Sequence, residues 1–113
     1  MNRGEIWVGN LNPTRGHETG KIRPVLIFHA DELLKAEIPL VMVLPLTSRL
    51  QSGVSRFRVT VPARDRLLVD SQIMIDQART LDRTRLADGP LTRLTEMEIA
   101  AVEQSFLAVL GMM

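Results

Sequence analysis

Leu40-Val41-Met42-Val43-Leu44-Pro45-Leu46-Thr47-Ser48-Arg49 is the stretch on which the fold turns. Its apolar part, Pro39 to Leu46, is the longest such run in the chain. That run is far short of the ~18 residues a membrane span needs, and it has the length of one buried strand. Pro45 interrupts it, and the hydroxyl pair Thr47-Ser48 opens a polar segment that runs to Gly53.

Upstream, Glu5 to Val8 reads as a strand in which Ile6 and Val8 alternate with Glu5 and Trp7. Trp7 either packs against a loop or offers a ring for stacking, and packing is the expectation. Asn10 to Gly20 is a polar loop with Pro13, Gly16 and Gly20. Lys21-Ile22-Arg23-Pro24 leads into a second strand, Val25 to Phe28; Pro24 has no N–H and belongs at its start or on an edge. Asp31 either caps a short helical turn through Leu34 or lies in a loop.

Downstream, Arg56 to Val61 alternates basic or polar residues with Phe57, Val59 and Val61. Arg64-Asp65-Arg66 is a turn. Leu67 to Val69 and Ser71 to Thr80 read as further strands, with Ile73 and Ile75 on one face and Gln77 and Arg79 at the polar end. Asp88-Gly89-Pro90 is a turn. Thr95 and Glu98 have capping-box spacing, and Met97, Ala101, Gln104, Phe106, Leu107 and Leu110 keep helical periodicity until Gly111. Short strands at close spacing followed by one helix predict a mainly β chain with a C-terminal helix, a small barrel or sandwich of one domain over residues 1–113.

The net charge is +1, but the last twenty residues carry only Glu96, Glu98 and Glu103. All fourteen basic groups precede them, against ten acidic ones, and twelve of the fourteen are Arg. Arg presents a planar fork that suits phosphate, so this distribution hints at nucleic acid. The absence of cysteine excludes a disulfide framework and thiolate zinc sites and fits a reducing, cytoplasmic setting. The N-terminus lacks the layout of a signal peptide. A chain this small is marginal alone, so a homodimer would be unsurprising.

Two histidines, His17 and His29, and the scattered Asp65, Asp70 and Asp76 form no ligand set, so neither a metal nor a cofactor is expected. Asp70 and Asp76 read as partners of nearby arginines, and Arg56 with Arg58 as a basic strand face, solvated or in contact with phosphate. Gly16-x-x-x-Gly20-Lys21 is one residue short of a phosphate loop and is followed by Ile22 instead of Ser or Thr. More telling is that a glycine-bearing loop delivers Glu18, Lys21 and Arg23 to one strand edge. A second turn, Thr47-Ser48-Arg49, leaves the end of the apolar strand. The glycines either let backbone N–H groups approach an anion or shape a hairpin.

Gly4-Glu5-Ile6-Trp7 followed by Gly16-x-Glu18-x-Gly20-Lys21-x-Arg23-Pro24-Val25-Leu26 resembles the opening of the MazF/PemK family of toxin endoribonucleases. Leu44-Pro45-Leu46-Thr47-Ser48 and Asp70-Ser71-x-Ile73-x-x-Asp76-Gln77-x-Arg79-Thr80-x-Asp82-x-x-Arg85-Leu86 are similar to its later blocks, in order along the whole chain. The resemblance implies an SH3-like, CcdB-like barrel, a homodimer, and ribosome-independent, sequence-preferring cleavage of single-stranded RNA (mRNA). It also implies neutralisation by a cognate antitoxin whose acidic, disordered segment fills the RNA groove. By position, Arg23 is similar to the family's catalytic arginine, Thr47 to its catalytic Ser/Thr and Glu18 to its active loop carboxylate, while Gln77 stands where the family meets RNA. His17, Lys21, Ser48, Arg49 and Arg79 complete the candidate substrate-binding set.

Metal-free RNA cleavage uses the neighbouring 2′-hydroxyl and leaves a 2′,3′-cyclic phosphate and a 5′-hydroxyl. Arg23 suits charge stabilisation or proton donation, and Thr47 a hydroxyl bond to the phosphate. Arginine is a poor base, which leaves Glu18 and His17 as candidates. Val43 to Ser48 with Val54-Ser55-Arg56 is also similar to the CcdB-type gyrase poisons, which share the barrel and cut nothing; they lack the Arg23-Pro24 block.

Overall fold

β3 (Leu40–Thr47) is central, and its apolar sequence follows from burial of Val41 and of Val43 to Leu46. In the computed structural model, which describes residues 1–53 and 57–113, Val41 and Val43 enter one core cluster and Leu44 and Leu46 another. One edge of β3 pairs with β2 (Ile22–Ile27), in the register Val25↔Pro45 to Ile27↔Val43. The other edge changes partner. Leu40 to Val43 pair with β6 (Arg79–Asp82), and Leu46 and Thr47 pair with β5 (Ser71–Met74). Pro45, which has no N–H to give, stands at the changeover.

β1 (Glu5–Asn10) extends the sheet beyond β2, β7 (Leu86–Arg93) lies beyond β1, and β4 (Arg58–Val61) lies beyond β5. All these pairings are antiparallel, and the result is the expected mainly β barrel with a C-terminal helix. The second strand begins earlier than expected, so Pro24 lies inside it, opposite Val8 and just outside the β2–β3 ladder. Trp7 packs against the cluster of Val41 and Val43, and its indole N–H donates to Glu5 Oε1 at 3.1 Å. The short α1 (Asp31–Lys35) is helical; its N-cap is Ala30, and Asp31 instead accepts the Arg3 N–H at 2.7 Å.

Several expectations need correction. Ser71 to Thr80 is not one strand. Between the pairs Leu46↔Ile73 and Val43↔Arg79 the chain advances three positions on β3 and six on its partner. The surplus leaves the ladder as the 3-10 turn Ile75–Gln77. Asp88-Gly89-Pro90 is not a free turn but a bulge inside β7, between Ile6↔Thr92 and Val8↔Ala87, with positive φ at Asp88 (70°) and Gly89 (63°). Leu67 to Val69 is not a strand either: Leu67 makes a single bridge to Arg64, and Leu68 is 83% exposed. The expected strand beginning at Arg56 starts at Arg58; residues 54–56 lie outside those described.

α2 (Glu96–Val109) opens on the expected capping box: Thr95 Oγ1 accepts the Glu98 N–H, and Glu98 Oε1 accepts the Thr95 N–H. Gly111, at φ 73°, lets Met112 N–H reach back to the Leu107 carbonyl at 2.8 Å and stops the helix. The periodicity is as expected but its phase is not. Ile99, Val102, Phe106 and Val109 face the core, while Met97 is 85% exposed. No described helix is long and apolar enough to cross a membrane.

Arg64 fastens α2 to the barrel. Its Nη1 and Nη2 donate to both Glu98 oxygens at 2.8 and 2.6 Å, and Nη2 also donates to the Arg93 carbonyl at 2.9 Å. The Arg64 bonds hold the Glu98 carboxyl below its usual range against the opposing effect of burial, with help from the Thr95 N–H. A carboxyl depressed in the folded state contributes stability above its unfolded pKa and loses it as the pH falls through the folded value. Glu98→Gln is therefore expected to cost about 2 kcal/mol at pH 7. The gap to the native chain should narrow below about pH 4.3; urea melts at both pH values check this, and a gap independent of pH would contradict it.

Candidate active site

The end of β3 and the start of β2 border a cleft of about 320 Å³. β2 delivers Arg23, half-buried, with its guanidinium gripping backbone on both sides. Nε donates to the Gly20 carbonyl at 2.9 Å and Nη1 to the Leu46 carbonyl at 3.1 Å. One side chain thus ties the loop before β2 to the residue preceding Thr47. Nη2 has no partner among the described residues. Burial pushes the Arg23 pKa below its ordinary value, because a poorly solvated site disfavours the charged form.

Thr47 is the last residue of β3, and its Oγ1 accepts the Arg49 N–H at 3.1 Å. With a lone pair engaged there, the hydroxyl hydrogen is left to donate outward. Lys21, Ser48 and Arg49 join Arg23 and Thr47 in the lining, with Ile22 and Val69 as exposed apolar neighbours. No acidic residue lines this cleft among the described residues, so its charges are Lys21, Arg23 and Arg49 alone. Such a lining suits an anion and offers apolar contact beside it.

Glu18, Gln77 and Arg79 are not in this cleft. They line a second recess of about 330 Å³, between the loop and the 3-10 turn, together with Thr19 and Asp76. Glu18 Oε1 accepts the Arg15 N–H at 2.6 Å, and Arg79 donates to the Leu11 carbonyl at 3.1 Å. His17 is exposed and lines neither recess. The glycines shape the loop: Gly16 takes φ 60°, and a Cβ on Gly20 would stand 3.1 Å from Asn12 Oδ1 and from Thr14.

Two acidic residues differ from expectation. Asp70 accepts the Ala63 N–H at 2.8 Å, and neither Asp70 nor Asp76 pairs with an arginine among the described residues. Arg58 lines neither recess, and Arg56 lies outside the described residues. No group of three or more His, Cys, Asp or Glu able to hold a metal occurs among the described residues. Sequence reasoning missed Ser71, which lines the cleft, and Gln72, whose amide holds the Gln51 backbone. The available signal was an amide directly before the apolar run Ile73-Met74-Ile75.

Residues 2–110 match the model of the PemK-like, MazF-like toxins of type II toxin–antitoxin systems. The chain is 34% identical over 113 residues to the endoribonuclease MazF of Staphylococcus saprophyticus, covering 99% of this chain and 92% of that protein. Its fold is similar to the crystal structure of MazF from Deinococcus radiodurans, with a TM-score of 0.83 and 30% identity over 99% of this chain and 97% of that one. A crystal structure of a MazE–MazF complex from the same organism contains a chain that is 28% identical, with a TM-score of 0.76 over 100% and 97% of the two chains. Val54-Ser55-Arg56, part of the likeness to the gyrase poisons, falls outside the described residues, and these comparisons favour the nuclease family. With its ordered blocks, its barrel and its basic cleft, the chain belongs to the PemK-like, MazF-like family of toxins of type II toxin–antitoxin systems.

Proposed function

We propose that this endoribonuclease cuts single-stranded RNA, mRNA above all, at short preferred sequences, without a ribosome or a metal ion, at a phosphate held by Arg23 and Thr47. The carrying observation is that Arg23 is braced against the carbonyl of Leu46, next to Thr47, in a cleft whose charged lining is basic. In the proposed reaction the 2′-oxygen loses its proton and attacks phosphorus, and the P–O5′ bond breaks. The products are a 2′,3′-cyclic phosphate and a 5′-hydroxyl. Arg23 stabilises the added charge on the phosphate, and Thr47 donates its hydroxyl hydrogen to a non-bridging oxygen. Arg23 is also the proton donor we assign to the departing 5′-oxygen. For the proton on the 2′-oxygen we assign Glu18, which lines the neighbouring recess, over His17, which lines neither.

The second recess offers donors and acceptors in Gln77, Arg79 and Asp76, which suits the edge of a base flanking the cut. The basic cleft also suits an acidic protein segment, and the MazE–MazF complexes support an antitoxin as partner. The small core supports a homodimer, and mRNA as substrate supports action in the cytoplasm.

Purified protein incubated with a long unstructured RNA in excess EDTA should yield discrete fragments bearing 5′-hydroxyl ends; intact RNA would reject the nuclease reading. Replacing the 2′-hydroxyl by hydrogen at the preferred site should abolish cutting there, and persistent cleavage would exclude that nucleophile. Arg23→Ala should lose at least about 10²-fold in rate. Arg23→Lys should recover little, because a point charge cannot brace two carbonyls and face a phosphate together. A wild-type rate in either variant removes Arg23 from the site.

A further inference from the structure

Gln72 is a buried amide in β5, whose four residues are all buried. Its register sets it opposite Thr47 on β3 and Thr60 on β4. Directly opposed residues of an antiparallel sheet share a face, with Cβ atoms about 5 Å apart. The amide nevertheless bonds mainly to a residue beyond both strands. Oε1 accepts the Gln51 N–H at 2.9 Å, Nε2 donates to the Gln51 carbonyl at 3.0 Å, and Thr60 Oγ1 takes a longer bond at 3.4 Å. One side chain therefore satisfies both backbone groups of Gln51, as a neighbouring strand would.

The segment between is held at its other end by the bond from Arg49 N–H to Thr47 Oγ1. Leu50, between these anchors, is 51% exposed, so burial adds little to hold the segment. The polar wall of the cleft, Thr47, Ser48 and Arg49, thus hangs between a hydroxyl and a buried amide.

We infer that Gln72 is a positioning residue for RNA cleavage: its double grip on Gln51 keeps the turn at residues 47–49 closed, and that closure aims the Thr47 hydroxyl at the phosphate. The inference rests on Thr47 being the hydroxyl that contacts the scissile phosphate. When the grip is lost, Gln51 turns to water, Arg49 N–H leaves Thr47, and the hydroxyl loses its fixed orientation. The effect falls mainly on kcat, because the contact strengthens as charge develops on the phosphate.

A double-mutant cycle with the full chain and a single-site RNA oligonucleotide tests this. Gln72→Met should slow cleavage at saturating RNA about tenfold or more, and the same change on a Thr47→Ala background should cost little further. If Thr47→Ala is slow while Gln72→Met is harmless, or equally harmful on both backgrounds, the inference fails and the assignment of Thr47 stands. If Thr47→Ala cuts at the native rate, that assignment fails and the inference falls with it. Gln72→Glu keeps the acceptor for Gln51 N–H and, once protonated, regains a donor for the Gln51 carbonyl. Its rate relative to the native chain should rise as the pH is lowered. That series decides the matter if Gln72→Met does not fold, and a ratio that stays flat overturns the inference.

Discussion

One guanidinium pressed between two backbone carbonyls is the constraint on which the cleft depends. Arg23 answers Gly20 on one side and Leu46 on the other, so the loop before β2 and the end of β3 share a fastening. A carbonyl deprived of its partner in a poorly solvated place costs more than the bond itself contributes. Arg23 is therefore held where it is whether or not an anion is present. That is preorganisation: the donors need not rearrange when charge develops in front of them.

The same use of arginine recurs around the barrel. Arg83 donates to the Leu34 and Ile38 carbonyls, Arg66 to that of Asp88, and Arg85 to those of Asn10 and Asn12. Much of the arginine excess is thus consumed in closing loops and strand ends. Overall charge, at +1, says little about ligands here; what distinguishes the cleft is Lys21, Arg23 and Arg49 sharing one lining with no carboxylate among the described residues.

The parts legible in the sequence were those set by local rules. The apolar run of β3 had one plausible structure, and the capping box of Thr95 and Glu98 announced the start of α2. Arg23 and Thr47 were picked out by resemblance, and their common cleft follows from pairing between strands distant in sequence. What was misread depended on ladders. The Asp-Gly-Pro of β7 looks like a turn unless one knows that β1 runs beside it. The phase of α2 was set by what Val102 meets, not by the helix alone. Gln72 was passed over because its partner, Gln51, is 21 positions away.

The change of partner along β3 has a mechanical consequence. Leu40 to Val43 are registered by β6, Leu46 and Thr47 by β5, and proline occupies the junction. Opening of a sheet usually spreads from rung to rung, so a break between two ladders limits how far it travels. The half beside β6 and the half that ends at the hydroxyl therefore take their alignment from different neighbours. Whatever shifts the outer rungs must cross that junction before it reaches Thr47.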